Sequence, residues 1–153
     1  GEYLKMKKNC IFMALLAAVL LNGCGSEAKM KDGFYTAEMA DYNYGWREYV
    51  CIMVKNDRIV SVEFNAKDPS GYIKAWDNSY MKNMAPVSGT YPNEYTRLYA
   101  AQLLEQQEDF QLDAITGATS SGYNFEKMAA AVIEQAKKGD PTTIQVKSDV
   151  KEP

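Results

Sequence analysis

Two neighbouring runs, residues 49–54 and 58–64, constrain this chain most. Both are rich in β-branched and aromatic side chains, and the second alternates apolar with polar residues, the period of a half-buried strand. Lys55-Asn56-Asp57 between them leaves room only for a tight reversal, and Asn and Asp tolerate the positive φ that such a turn demands. An antiparallel hairpin follows. Residues 32–38, opening on Asp32-Gly33, supply a strand ahead of it and make a meander. Cys51 within this hairpin is expected to be a small core residue rather than a reactive thiol.

Helical periodicity takes over downstream. Residues 66–71 read as a loop. Ile73, Trp76, Tyr80, Met81 and Met84 recur at helical spacing, which predicts a helix over 73–84, followed by a loop from Pro86 to Pro92. Pro92 suits a first helical position, and Tyr95, Leu98, Tyr99, Gln102 and Leu103 then mark a helix to about Gln107. A last helix, beginning near Tyr123, lines up Phe125, Met128, Ala129, Val132, Ile133 and Ala136 on one stripe. Lys137-Lys138-Gly139 closes it, with cations at the negative end of the dipole and glycine as the reversal, before Pro141. A short strand is expected at 143–146. The expected fold is a single α+β domain in which a small antiparallel sheet packs with about three helices.

The N-terminus carries a different signal. Gly1 to Lys5 precede Met6 and read as leader. Met6-Lys7-Lys8 opens a basic region, and residues 10–21 form a nearly continuous apolar run, too short to span a bilayer and suited to a signal peptide. It ends at Leu21-Asn22-Gly23-Cys24, which looks like a bacterial lipobox with Cys24 as the acylated residue. The expected organisation is leader and signal peptide over 1–23, lipidated Cys24 and polar tether over 24–32, a folded domain over 33–141 and a polar tail over 142–153. Removal of residues 1–23 takes three lysines and one glutamate and moves the net charge from −3 to −5. That balance argues against nucleic acid and against electrostatic docking on anionic lipid, so the membrane link is the lipid. The chain has no histidine, and its three cysteines stand at 10, 24 and 51. With Cys10 in the leader and Cys24 lipidated, no disulfide, Cys₄ cluster or metal constellation can be assembled, and electrons would have to travel on an organic cofactor.

Chemistry concentrates in residues 113–121, Asp-Ala-Ile-Thr-Gly-Ala-Thr-Ser-Ser. An apolar, strand-like run over 110–115 leads into small residues and then a helix. The first N–H groups of a helix lack internal partners and its dipole favours negative charge, so this junction is a candidate anion site. Gly117 and Ala118 allow close approach to the backbone, and Thr116, Thr119, Ser120 and Ser121 crowd hydroxyls at the same point. An ordinary capped helix start would use the same residue types.

Asp113-x-x-Thr116-Gly117-Ala118-Thr119 resembles the flavinylation motif of the FMN-binding domain family, which includes FMN-carrying subunits of the Rnf and Na⁺-pumping quinone reductase complexes and small extracellular flavin lipoproteins. The resemblance implies FMN joined through a phosphodiester to Thr119, attached by a separate Mg²⁺-dependent FAD:protein FMN transferase, with Asp113 helping to dock the segment. Residues 71–77 and 89–97 also resemble segments of the small flavin lipoproteins, and they contribute Trp76 and Tyr95 as candidate contacts for the flavin ring. The implied function is a lipid-anchored electron carrier on the extracytoplasmic face of a bacterial membrane. A membrane quinol oxidoreductase would be the donor, and extracellular acceptors or reductases would be the recipients. No acid/base constellation for a substrate is visible, which favours an electron-transfer protein over a stand-alone enzyme. A module that binds FMN without a covalent bond and a cofactor-free surface lipoprotein remain the alternatives.

Overall fold

The computed structural model describes residues 28–149, so the signal sequence and Cys24 lie outside the described residues. Strands β1 (Gly33–Met39), β2 (Arg47–Lys55) and β3 (Arg58–Lys67) form the expected antiparallel meander. Asn56 and Asp57 turn the second hairpin with φ of 51° and 59°. A short fourth strand, β4 (Ile144–Val146), returns beside β1 in parallel, giving the order β3-β2-β1-β4. The sheet is therefore mixed rather than purely antiparallel, because β4 arrives after a helix that crosses the sheet and re-enters in the same direction as β1.

Three helices accompany the sheet, α1 (Asn78–Ser88), α2 (Pro92–Gln106) and α3 (Thr119–Lys138), and the last two cover one face. Helix α3 packs on β1 and β2, and α2 packs on β3. The predicted stripe of α3 is buried at every position. It meets Tyr35, Ala37, Val50, Ile52 and Phe64 from the inward face of the sheet. Aromatic rings fill the centre: Phe64 and Phe125 lie 4.8 Å apart between centroids, and Tyr99 and Phe110 approach Phe125 at 5.8 and 5.5 Å. Helix α3 ends in a Schellman reversal. Gly139 has φ 67°, its N–H bonds to Ala136, and the N–H of Asp140 bonds to Gln135. Among the described residues no helix is long and apolar enough to cross a membrane.

Several expectations need correction. The helix predicted over 73–84 is instead a 3₁₀ turn (Lys74–Trp76) followed by α1, because the Asp77 side chain accepts from the Tyr80 amide at 3.0 Å and starts the helix afresh. Pro86 lies inside α1 rather than beginning a loop; the helix runs on to Gly89, which adopts φ 72°. Strand β3 continues to Lys67, into the predicted loop. Helix α3 starts at Thr119, four residues before Tyr123. Cys51 faces the side of the sheet away from the helices, paired with Thr36 and Glu63, and is partly exposed rather than in the core.

Residues 110–115 are extended but join no strand. Their partners are side chains of α2 and, for the Leu112 N–H, Glu126 of α3 at 3.3 Å. Gln102 bonds to both the N–H and C=O of Asp113, at 3.0 and 2.8 Å, and Gln106 does the same for Gln111, at 3.0 and 3.1 Å. Gln107, just past the helix, applies the same device to the sheet, accepting from the N–H of Ile59 and donating to its C=O at 2.7 and 3.1 Å. Truncating the fully buried Phe125 to alanine is expected to cost about 3–5 kcal/mol, a large share of the ~5–15 kcal/mol typical of a domain. Urea denaturation should show that loss as a lower midpoint with an unchanged slope.

Candidate functional site

The junction between residues 115 and 119 is a β-turn closed by the Ala118 N–H to the Ile115 C=O at 2.9 Å. Gly117 occupies its third position with φ 85°, the geometry of a type II turn. A Cβ there would stand 2.1 Å from the carbonyl oxygen of Ser88, so the end of α1 sits against a turn that only glycine can make. The buried Tyr99 of α2 clamps the other side. Its hydroxyl accepts from the Ile115 N–H at 2.9 Å and donates to the Ala118 C=O at 2.8 Å. Gly122 leaves space for that hydroxyl, since a Cβ there would lie 2.3 Å from it.

Helix α3 begins directly after this clamp. Ala118 at the N-cap has no side-chain acceptor to offer, so the amides of Thr119, Ser120 and Ser121 open the helix uncapped. They border a cleft of about 380 Å³. One wall is Gly117 to Ser121. The opposite wall is aromatic and comes from two elements: Tyr44 and Trp46 from the β1–β2 connection, and Tyr80 with Met84 from α1. Lys74, Glu48 and Tyr95 complete the lining. A second groove of about 560 Å³ lies beside it and shares Asn43, Tyr44, Trp46, Glu48 and Ser120.

The aromatic wall has a local cause. Asn43 and Trp46 exchange backbone hydrogen bonds at 2.7 and 2.9 Å, with Tyr44 and Gly45 both at positive φ between them. That is a two-residue hairpin turn, and it lifts Tyr44 out to 86% exposure while Trp46 turns into the cleft. A tyrosine at φ 49° is sterically unfavourable, and such outliers cluster at binding sites. Trp46 meets Tyr80 edge-on at 6.3 Å, and the Lys74 ammonium stands 4.4 Å from the Tyr80 ring and 5.9 Å from that of Trp46. The cleft thus offers a cation and open amides beside a broad apolar surface.

Glu48 is the unexpected member. Strand alternation aims it inward, in line with Val50, Ile52 and Val54. Its carboxylate accepts from the Asn124 amide at 2.8 Å and from the Ser121 side chain. Burial raises its pKa above the ordinary glutamate value, against the opposing pull of Asn124, Ser121 and Lys74. Burial also raises the pKa of Tyr95, whose hydroxyl bonds to Ser121.

Of the residues predicted for the site, Gly117, Ala118, Thr119, Ser120, Ser121 and Tyr95 come together in the cleft. Thr119 is exposed. Thr116 lies in the turn and Asp113 on the extended segment before it, both exposed and neither lining the cleft. Trp76 does not reach it. It is 65% exposed and packs edge-on against Tyr72 at 6.0 Å. Sequence reasoning missed Glu48, Trp46, Tyr44 and Lys74, whereas Tyr80 is among the aromatics of the middle segment from which it expects a ring contact. Two signals could have found the first three: Asn43-Tyr44-Gly45-Trp46 has the glycine of a tight hairpin, and Glu48 occupies an inward position of the β2 alternation. Among the described residues no group of three or more His, Cys, Asp or Glu side chains converges as a metal site would.

A scan against models of known protein families matched none. The 15 kDa lipoprotein of Treponema pallidum (strain Nichols) is 30% identical over 132 residues, which cover 86% of this chain and 93% of that protein. The crystal structure of the CPE2226 protein from Clostridium perfringens superposes with a TM-score of 0.73 at 33% identity, over 77% of this chain and 98% of that one. The fold is thus that of a small α+β domain shared beyond this chain. The chain belongs to the family of the 15 kDa lipoprotein.

Two consequences are measurable. Tyr99→Phe removes the hydroxyl that ties Ile115 to Ala118 and should cost about 1–3 kcal/mol, with faster hydrogen exchange at the Ile115 amide as its local signature. Glu48 has a folded-state pKa above its unfolded value, so the stability it contributes is complete below the ordinary glutamate range, ~4, and is lost as pH rises through the folded value. Melting temperatures of wild type and Glu48→Gln should therefore diverge in favour of the variant as pH is raised from about 4 toward neutrality.

Proposed function

We propose that this protein is a lipid-anchored electron carrier of the extracytoplasmic membrane face, with FMN joined through a phosphodiester to Thr119. The observation that carries this reading is the exposed Thr119 hydroxyl at the uncapped start of α3, on the rim of an aromatic-walled cleft. The residues present fit such a group. The amides of Thr119, Ser120 and Ser121 suit a phosphodiester anion, and Lys74 adds a positive charge. Trp46, Tyr44, Tyr80 and Tyr95 suit a planar ring, and the cleft volume falls within the ~300–1,000 Å³ of small-molecule sites. FMN would supply the one- or two-electron chemistry, and the protein would bind and orient it.

A covalent link answers a retention problem. Contacts to a helix dipole contribute about 0.3–1 kcal/mol each when exposed, whereas nanomolar binding needs roughly 12 kcal/mol. Outside the cell a cofactor that dissociates is lost. Thr119 needs a base to become a nucleophile, the chain has no histidine, and the hydrogen bonds of Glu48 go to Asn124 and Ser121. A separate Mg²⁺-dependent FAD:protein FMN transferase would therefore attach the cofactor, with Asp113 exposed nearby for docking. Anchoring through Cys24 is supported by the lipobox-like Leu21-Asn22-Gly23-Cys24 and by the lipoprotein relative. Two or more acyl chains on that residue would hold the domain at the membrane, where a quinol oxidoreductase would reduce it.

The test is the intact mass of the domain produced with and without transferase, FAD and Mg²⁺. A gain of one FMN less water, mapped to the peptide containing Thr119 and abolished by Thr119→Ala, is the expected result. Flavin that leaves on denaturation would instead identify a reversible FMN-binding module. A colourless protein of unchanged mass, with a transferase active on another substrate, would leave a cofactor-free lipoprotein.

A further inference from the structure

A carrier that takes up electrons in a cleft beside a half-buried acid must limit the negative charge that accumulates there. Glu48 is the acid on the inward face of the sheet and lines both grooves. It is enclosed by protein yet half-buried, so water reaches it. Its neighbours can be named from each side. Helix α3 contributes Asn124 at 2.8 Å and Ser121, the 3₁₀ turn contributes Lys74, and α2 contributes the hydroxyls of Tyr95 and Tyr99. Asn124 is itself fixed by Ser148, whose hydroxyl donates to its oxygen at 3.1 Å, which turns its amide toward the carboxylate.

These groups pull in opposite directions. Enclosure favours the neutral acid, while Asn124, Ser121 and the Lys74 cation favour the anion. A carboxyl held in such a balance responds to a charge placed beside it. The position is specific as well: Glu48 bonds to the residue two places after Thr119, on the first turn of α3. A negative charge arriving in the cleft therefore acts on Glu48 at short range.

We propose that Glu48 is a redox-linked proton site, taking a proton when an electron enters the cleft and releasing it when the electron leaves. The proposal rests on the FMN reading and deepens it. The electron comes from a donor of the quinol class, which is oxidised. The matching proton comes from water and forms an O–H bond at the Glu48 carboxyl. Both depart on reoxidation by an acceptor, so the net charge of the cleft is conserved through the cycle. By linkage the converse holds: the protonation state of Glu48 sets how readily the site accepts electrons.

Two measurements on the flavinylated domain test this. The first follows the ¹³C resonance of the Glu48 carboxyl against pH in the cofactor-free, oxidised and reduced protein. Its titration should lie above the ordinary glutamate range without cofactor and should rise by at least one pH unit, a tenfold change in proton affinity, on reduction. The second compares midpoint potential against pH for wild type and Glu48→Gln. Glutamine keeps the oxygen that Asn124 bonds, so a purely architectural role would leave the curve intact, whereas the proposal requires the variant to lose one inflection. Superposable curves, or identical Glu48 titrations in oxidised and reduced protein, overturn the proposal alone. If Glu48→Gln does not fold, the wild-type titrations decide. Wild-type protein that carries no FMN by mass sinks the cofactor reading and this proposal together.

Discussion

One hydroxyl holds the candidate site together. Tyr99 bonds to backbone on both sides of the Ile115–Ala118 turn, and through it α2 fixes where α3 begins. Gly122 makes room for that oxygen, and Gly117 lets the last residue of α1 lie against the same turn. Three helices therefore converge on four residues. The start of α3 presents the amides of Thr119, Ser120 and Ser121 to the cleft, and their direction is set by the turn and not by rotamer choice. A loosened turn would spread those amides over several orientations, and each would have to be reordered when an anion bound.

The two walls of the cleft have unequal support. The Gly117–Ser121 wall rests on the core through Tyr99 and Phe125. The aromatic wall rests on a two-residue hairpin turn and on α1, none of whose residues is buried. Elements with few buried contacts open at the lowest free energy. Tyr44, Trp46 and Tyr80 thus form the side of the cleft able to adjust to an occupant, while the side bearing Thr119 stays fixed.

Local rules made much of the fold legible. Asn56-Asp57 specifies a tight turn by itself, Pro92 and Gly139 mark helix ends by themselves, and the α3 stripe needs only a count of residues. The failures share a cause. Residues 110–115 have the composition of a strand and the backbone of one, but their hydrogen-bond partners are side chains of two helices, Gln102, Gln106 and Tyr99 of α2 and Glu126 of α3, and no periodicity encodes a ladder made of side chains. Ile73 and Trp76 fit a helical spacing with Tyr80 and Met84, yet Asp77 recaptures the backbone between them, so only Tyr80 and Met84 reach the cleft. The site was half visible. The residues contiguous with Thr119 could be read from one stretch of chain, whereas Trp46, Glu48, Lys74 and Tyr80 reach it only through sheet register and helix packing.

The amide of Gln107 bears on a hazard unrelated to ligand binding. An outer strand displays unpaired backbone groups to any other chain. At one end of β3, Gln107 occupies those of Ile59, and at the other Ile73 bridges to Lys67. The opposite border of the sheet is β4, three residues long. Each device shortens the run of free backbone that its margin offers a second molecule. For a domain held beside its copies, shorter free edges disfavour the pairing of neighbours into a continuous sheet.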